Sequence, residues 1–262
     1  MNSKEIGNLL HCLCEESDAS RLERLTPPDW RDLMQQARRH AVLYFLYHRL
    51  KTQNLDRHIP ADILQTVRTG YFECAWKNNN LYSELSKILK ALQSKGIPVI
   101  LLKGVYLAKT VYSNIALRSM GDIDLLIRKP DLLKAEKTLL ELGYRSGRKG
   151  DIETACEKQN HLPPLRKQNS SPVELHWNIE WPTAPFTIDV EGLWERAQPV
   201  SIAGVEVLGL SPEDLLLHLC LHTSYRHLYK NGLRSFCDMR ETIRYYRNEI
   251  DWEQVGLRAH EW

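Results

Sequence analysis

Long hydrophobic runs, paired cysteines and an excess of charge of one sign are all missing from this sequence. No apolar run approaches the roughly 20 residues that a membrane-spanning helix needs. The 262 residues carry 35 basic and 33 acidic side chains, and a net charge of +2 is not the footprint of a general nucleic-acid-binding protein. The six cysteines include no C-x-x-C pair, which disfavours a zinc site and favours reduced, structural thiols.

Secretion signals and repeats are missing as well. Residues 1–5 contain no basic segment that is followed by an apolar one, so we expect a cytoplasmic protein. The hydrophobic content of 43% is enough to build one large domain or two smaller ones. Nothing in the sequence indicates the oligomeric state.

Changes in residue pattern divide the chain into three predicted regions. Residues 1–94 show apolar residues at helical spacing and are predicted to form helices. Residues 95–210 contain short apolar runs bounded by glycine and proline, which is typical of a small α/β core. Residues 211–262 return to helical spacing. A last helix begins near residue 251 and stops at the chain end, which fits either a truncated chain or a helix that naturally finishes there.

Individual elements follow from the same patterns. A long helix is predicted from about residue 61 to 94, with Gly70 weakening its continuity, and the aromatic residues of this region are interpreted as core. We expect strands near residues 99–102, 120–128, 152–158, 172–179 and 205–208. The aromatic residues assigned to the core are Tyr44, Phe45, Tyr47, Trp76 and Tyr82.

The most informative stretch runs from Gly121 to Ile127 and reads Gly-Asp-Ile-Asp-Leu-Leu-Ile. Alternate side chains of a strand share one face, so Asp122 and Asp124 are expected to point to one side and their apolar neighbours into a core. Two adjacent carboxylates repel each other, and burial increases that cost. A divalent cation such as Mg²⁺, which takes carboxylate and phosphate oxygens, would stabilise the pair.

A third acid lies on a later predicted strand. Pro172-Val-Glu-Leu-His-Trp177 places Glu174 and His176 on one face of that strand. Glu174 on a neighbouring strand would complete a cage of three carboxylates around divalent ions. Without metal, we expect at least one of the three to have a raised pKa.

Taken in order, these segments resemble the DNA polymerase beta-like nucleotidyltransferase superfamily, and more closely a poorly characterised bacterial nucleotidyltransferase family. The superfamily usually has Gly-Ser or Gly-Gly at the turn after its first strand, whereas this chain has Lys103-Gly104. The resemblance implies an α/β (α+β) fold, with a small mixed-sheet core and helical additions at both ends. It rests on the segments 101–104, 118–126, 142–144, 173–177 and 217–222.

The resemblance also implies an activity and a set of residue roles. A nucleoside monophosphate would pass from an NTP to a hydroxyl-type acceptor, which is a small molecule, an RNA or a protein, with release of pyrophosphate. Asp122, Asp124 and Glu174 would hold Mg²⁺ or Mn²⁺, and Glu174 would also help to remove the acceptor proton. The expected nucleotide contacts are Lys103, Gly104 and Arg118, and the residues expected to face the cleft are His176, His222 and Asp238.

Two alternatives remain at this stage. The same fold could bind a nucleotide or a partner protein without chemistry, since the Lys-Gly turn departs from the usual pattern. Paired acids also serve hydrolysis, so a metal-dependent phosphohydrolase is the closest enzymatic alternative. His218 and His222 share a helix face at a spacing that zinc can use, but a buried or cleft-lining face is the favoured interpretation, since a zinc site needs more ligands than this pair supplies.

Overall fold

The computed structural model describes residues 3–14, 19–230 and 232–262, so the predictions made on residues 1 and 2 lie outside it. The described residues form twelve α-helices and five strands. The helices are α1 (Ser3–Leu13), α2 (Ala19–Glu23), α3 (Pro27–Arg39), α4 (Leu43–Thr52), α5 (Ala61–Ser94), α6 (Lys103–Thr110), α7 (Leu132–Glu141), α8 (Ile152–Lys158), α9 (Val190–Glu195), α10 (Pro212–Leu221), α11 (Arg234–Tyr245) and α12 (Trp252–Glu261). The strands are β1 (Ile100–Leu101), β2 (Ile123–Leu126), β3 (Val173–His176), β4 (Gln198–Ile202) and β5 (Val205–Gly209).

The five strands form one mixed sheet in the order β3-β2-β1-β5-β4. β2 runs parallel to β3 and antiparallel to β1, while β5 runs parallel to β1 and antiparallel to β4. This strand arrangement confirms the predicted α/β class, in which a small mixed sheet is preceded and followed along the chain by helical segments. The expected division into three regions stays a prediction, since one continuous hydrophobic core includes residues from all three.

Local sequence signals explain where the helices begin. Thr26 caps α3 in a reciprocal capping box, in which the Asp29 carboxylate accepts a hydrogen bond from the Thr26 backbone at 2.8 Å. α5 continues through Gly70 for 34 residues, so the predicted weakness does not interrupt it. A side chain at Gly70 would meet the Tyr44 hydroxyl at 2.8 Å, which shows that the glycine allows Tyr44 to pack closely against the helix.

One predicted strand is wrong. Residues 152–158 form α8 because Asp151 caps the segment, and its carboxylate accepts a hydrogen bond from the Thr154 backbone at 2.6 Å. The edge strand β4 was not predicted, since its mostly exposed residues lack an apolar run. A two-residue turn at Ala203 and Gly204, both with positive φ, joins β4 to β5 as a hairpin.

The helical pattern predicted for residues 211–262 is interrupted after residue 221, and one aromatic assignment is wrong. α10 ends at Leu221, and residues His222–Arg226 form a π-helical turn. Phe45, Tyr47 and Tyr82 are buried as expected, whereas the Trp76 side chain is 66% exposed because it lies on the outer face of α5.

A membrane-crossing helix does not occur among the described residues, because none of their helices combines the necessary length and apolar character. α5 is long enough, but charged and polar residues recur along its length.

Candidate active site

The C-terminal end of β1 lies beside the N-terminal ends of β2 and β3, so these three strand termini meet at one end of the sheet. The Leu102 backbone N–H donates to the Asp124 carbonyl at 3.1 Å, and the Ile123 N–H donates to the Pro172 carbonyl at 2.9 Å. The parallel register pairs Asp124 directly with Glu174. The acid strand and the strand of the third acid are therefore neighbours, and their carboxylates share one face of the sheet.

Asp124 is buried, and two basic groups surround its carboxylate. The His176 Nε2 atom lies 3.0 Å from Asp124 Oδ1, and the Lys103 ammonium lies 3.5 Å from Asp124 Oδ2. Burial alone would raise the pKa of the Asp124 carboxyl, but Lys103 and the His176 hydrogen bond outweigh it and hold that pKa well below its usual range. Asp124 is therefore ionised at neutral pH.

Glu174 is half-buried and approaches the same imidazole. Its Oε2 atom lies 3.4 Å from His176 Nε2 and 3.9 Å from His161 Nδ1. The hydrogen bond with His176 lowers the pKa of Glu174 below its ordinary value. Asp124, Glu174 and His176 each offer one ligand atom, and these three atoms lie within 4.8 Å of one another, which is close enough to hold a metal ion.

Asp122 precedes β2 and is not part of this three-residue group, although it belongs to the same electrostatic cluster. Its side chain reaches solvent, yet loss of hydration at the sheet edge and the charge of Asp124 raise its pKa. Glu174 acts in the same direction, while Lys103 and Arg118 oppose it. A raised pKa at one of the three acids agrees with the prediction for a metal-free cluster.

The turn after β1 has an unusual backbone. Lys103 adopts a positive φ of 44°, the left-handed conformation that glycine tolerates best, at the point where the chain leaves the strand for α6. Gly104 is buried, and a Cβ at this position would lie 2.7 Å from Arg118 Nη1. The glycine therefore lets a guanidinium approach the backbone, while the preceding strained residue directs its ammonium towards Asp124.

Arg118 and Asp238, both predicted site residues, form a buried ion pair. The Arg118 Nε and Nη2 atoms donate to the two carboxylate oxygens of Asp238 at 2.9 and 3.0 Å. The Tyr112 hydroxyl donates to the same carboxylate at 2.8 Å. This pair links α11 to the turn at Gly104, so Asp238 supports the site through Arg118.

A group of histidines lies beside the acids. The His161 ring is 4.8 Å from the His176 ring, and His222 Nε2 lies 3.2 Å from His227 Nε2. His218 is 1% exposed, and its two ring nitrogens have no hydrogen-bond partner among the described residues. Burial and the charge of Lys103 lower the pKa of His218 to about 3 and that of His222 to about 2, so both rings are neutral.

Two residues near the acids were missed in the sequence. His161 pairs with His176 in an isolated antiparallel bridge, outside any predicted strand. Arg234 lies one helical turn before Asp238 on α11, and the described residues offer its guanidinium no ion-paired side chain. Burial and Arg118 lower the pKa of Arg234, against the opposing charges of Asp238 and Asp122. No local pattern marks either residue, because only the tertiary fold brings them to the acids.

A polar cavity of about 690 Å³ adjoins the residue before Asp122. Its walls come from α5, including the exposed Trp76, and from residues 120–121 and 167–172. Volumes of this order accommodate a small organic ligand. The cavity thus lies beside Gly121 and Pro172, which precede the acid-bearing strands β2 and β3, and its volume suits a small substrate.

Comparison with known families gives one match that covers most of the chain. The sequence model of a family described as uncharacterised nucleotidyltransferase matches residues 26–262. No curated protein matches the chain.

Several solved structures are similar in part. The solution structure of the antibiotic-resistance factor ANT(2'')-Ia is 15% identical, with a TM-score of 0.49, and the match covers 70% of this chain and 91% of that one. Lincomycin-bound LnuA, a lincosamide antibiotic adenylyltransferase, is 16% identical with a TM-score of 0.41, covering 61% and 94%. A nucleotidyltransferase-like protein from Paracoccidioides brasiliensis is 18% identical with a TM-score of 0.42, covering 64% and 77%. Likeness at this level does not identify a substrate for this chain.

Proposed function

The chain belongs to this uncharacterised nucleotidyltransferase family, and from that premise we propose that it transfers a nucleoside monophosphate from an NTP to a hydroxyl-type acceptor and releases pyrophosphate. The observation that carries the proposal is the pairing of Asp124 with Glu174 across β2 and β3, with Asp122 beside them. Carboxylates gathered at one edge of a sheet are the donor set that phosphoryl transfer requires.

The donor set fits a divalent ion. Asp124 and Glu174 offer oxygens within 4.8 Å of one another and of His176, and Asp122 lies close enough to respond to both charges. We propose Asp122, Asp124 and Glu174 as the ligands of Mg²⁺ or Mn²⁺. When bound, such an ion stabilises negative charge on the reacting phosphate oxygens.

The remaining roles belong to the basic groups around the acids. Lys103 precedes Gly104 in the turn after β1, and its side chain extends towards Asp124. Its ammonium can therefore bind a phosphate that enters beside the carboxylates. Arg118 lies against the same glycine, and its bond to Asp238 fixes its orientation. Arg234 is the proposed further cation for the triphosphate, since its guanidinium lies close enough to interact with the charge of Asp122.

Glu174 is the proposed group that accepts the acceptor proton. Its partly exposed position leaves the carboxylate accessible to a hydroxyl group, and it lies beside the proposed metal ligand Asp124. The neighbouring cavity of about 690 Å³ favours a small-molecule acceptor. The near-neutral surface disfavours a long nucleic acid.

The direct test is turnover with labelled NTPs, divalent ions and a panel of hydroxylated small molecules, RNA and protein, with pyrophosphate as the readout. The double variant Asp122→Asn/Asp124→Asn should lose pyrophosphate release and stay folded. Asp32→Asn, on an exposed surface of α3 away from the acids, is the matched control and should be unaffected. Equal turnover in the double variant and the control would eliminate the proposed mechanism.

The same assay separates the alternatives. NTP binding by calorimetry without pyrophosphate would indicate a non-catalytic binding module. Phosphate transferred to water, with no product linked to an acceptor, would indicate a phosphohydrolase.

A further inference from the structure

We propose that His176 supplies a nitrogen ligand to the divalent ion of this site, and that the site therefore favours a first-row transition ion, of the class of Mn²⁺, Co²⁺ or Zn²⁺, over Mg²⁺. This inference rests on the ion requirement of the proposed function. It adds one imidazole to the proposed donor set of three carboxylates.

The spacing of the donor atoms supports a shared ion. His176 Nε2 lies 3.0 Å from Asp124 Oδ1 and 3.4 Å from Glu174 Oε2. Ligand atoms bound at about 2.0–2.2 Å to one metal lie about 3.0–3.5 Å apart when they are adjacent in its coordination sphere. Both distances from His176 Nε2 fall within that interval, and all three donor atoms lie within 4.8 Å of one another, so the imidazole nitrogen can occupy a position next to each carboxylate oxygen around one ion.

The His176 ring has no other polar function among the described residues. Its Nδ1 atom is buried without a hydrogen-bond partner, and the ring is 3% exposed. All its polar contacts are therefore made through Nε2 to the two carboxylates.

Lys103 does not compete for the same oxygen. Its ammonium lies 3.5 Å from Asp124 Oδ2, whereas His176 contacts Oδ1. The cation of Lys103 and an ion held by His176 would therefore use different oxygens of one carboxylate. This arrangement lets Lys103 stay beside Asp124 when the ion binds.

The chemistry of the donors sets the preference. Mg²⁺ and Ca²⁺ bind almost wholly through oxygen, whereas imidazole nitrogen favours transition ions such as Zn²⁺. The selectivity should therefore depend on His176 itself.

The experiment uses Mn²⁺ as the probe of the 262-residue chain, without nucleotide. Pulsed electron paramagnetic resonance of bound Mn²⁺ should show a ¹⁴N coupling from a directly coordinated imidazole, and His176→Gln should abolish this coupling. The variant should also lose more than about tenfold in Mn²⁺ affinity, since even residues that only support a ligand contribute tenfold or more. Competition with Mg²⁺ should show a smaller loss, so the Mn²⁺ to Mg²⁺ selectivity falls.

His161→Gln is the matched control, because His161 lies against the His176 ring but donates its Nδ1–H to the Leu162 carbonyl at 2.8 Å. It should retain the nitrogen coupling and the selectivity. Bound Mn²⁺ without nitrogen coupling in the unmodified chain would overturn the inference and leave the proposed transfer reaction standing. Absence of Mn²⁺ binding would overturn it as well, and the separate pyrophosphate assay then reports on the proposed function. Because the coupling is read in the unmodified chain, a variant that fails to fold does not remove the test.

Discussion

Breaking the buried ion pair between Arg118 and Asp238 should destabilise the protein strongly. Arg118 is 8% exposed and Asp238 is 3% exposed, and the two guanidinium bonds are joined by one from the Tyr112 hydroxyl. Asp238→Ala removes all three acceptor contacts at once. It leaves a guanidinium in the protein interior with no compensating charge.

The magnitude follows from this uncompensated charge. Removing one partner of a buried pair costs about 3–5 kcal/mol, which is a large part of the roughly 5–15 kcal/mol that stabilises a typical domain. Replacing both partners with apolar residues, in Arg118→Leu/Asp238→Leu, removes the desolvated charges together. The double variant should therefore be more stable than Asp238→Ala.

Urea unfolding followed by circular dichroism measures the difference. For Asp238→Ala the midpoint should fall by about 1–2 M at slopes of about 2–3 kcal/mol per M. Glu141→Ala is the control, since its pair with Lys95 at 3.4 Å is exposed, and surface pairs contribute less than about 1 kcal/mol. The reasoning is refuted if Asp238→Ala costs no more than the control, or if the double apolar variant is the less stable of the two.

Three further predictions concern the turn and the aromatic residues. Lys103→Met should raise the depressed pKa of Asp124. The loss in unfolding free energy relative to wild type should be full at neutral pH, where both folded states hold an ionised carboxylate, and should shrink as the pH falls through the raised folded-state pKa of the variant; urea titrations across pH measure it. Gly104→Ala places a methyl group 2.7 Å from a buried guanidinium and should lower kcat/KM for NTP by about 10–100-fold, and an unchanged value would contradict the proposed role of the turn. Trp76→Ala, at a side chain that is 66% exposed, should change the unfolding free energy by less than about 1 kcal/mol, whereas Trp177→Ala, at 2% exposed, should cost about 3–5 kcal/mol, and similar losses would show that Trp76 belongs to the core.

The acid strand could be predicted from sequence because its signal is local. Alternation of acids and aliphatic residues specifies β2 without knowledge of its neighbours, and Ile123 and Leu125 are fully buried as that pattern implies. The same holds for α5 and α10, since Pro60 precedes α5 and the capping Ser211 followed by Pro212 marks the start of α10. Asp151 was an equally local signal, but the short segment after it also fits a strand pattern, and there the capping residue decides the structure.

The parts of the site that were missed depend on tertiary contacts. His161 reaches His176 through a bridge from a segment with no strand pattern of its own. Arg234 comes within the field of Asp122 only in the folded chain, in which Asp238 of α11 pairs with Arg118 beside Gly104. The pairing of Glu174 with Asp124 was expected from a resemblance, since neither strand alone specifies its neighbour or its register. Trp76 was misplaced because helical spacing does not say which face of a long helix is covered.

The surroundings of Asp122 and Asp124 shift their pKa values in opposite directions, and this explains how the sheet accommodates two neighbouring carboxylates. Asp124 is buried but has Lys103 and His176 as neighbours, so it is ionised without a metal. Asp122 is more accessible but has only partial compensation, and its raised pKa means that it binds a proton more readily than a free aspartate does. The cluster therefore reduces repulsion by holding one carboxylate charged and making the other easier to neutralise. Occupation by a divalent ion would reverse that bias at Asp122, because a cation between the carboxylates favours the charged form of both.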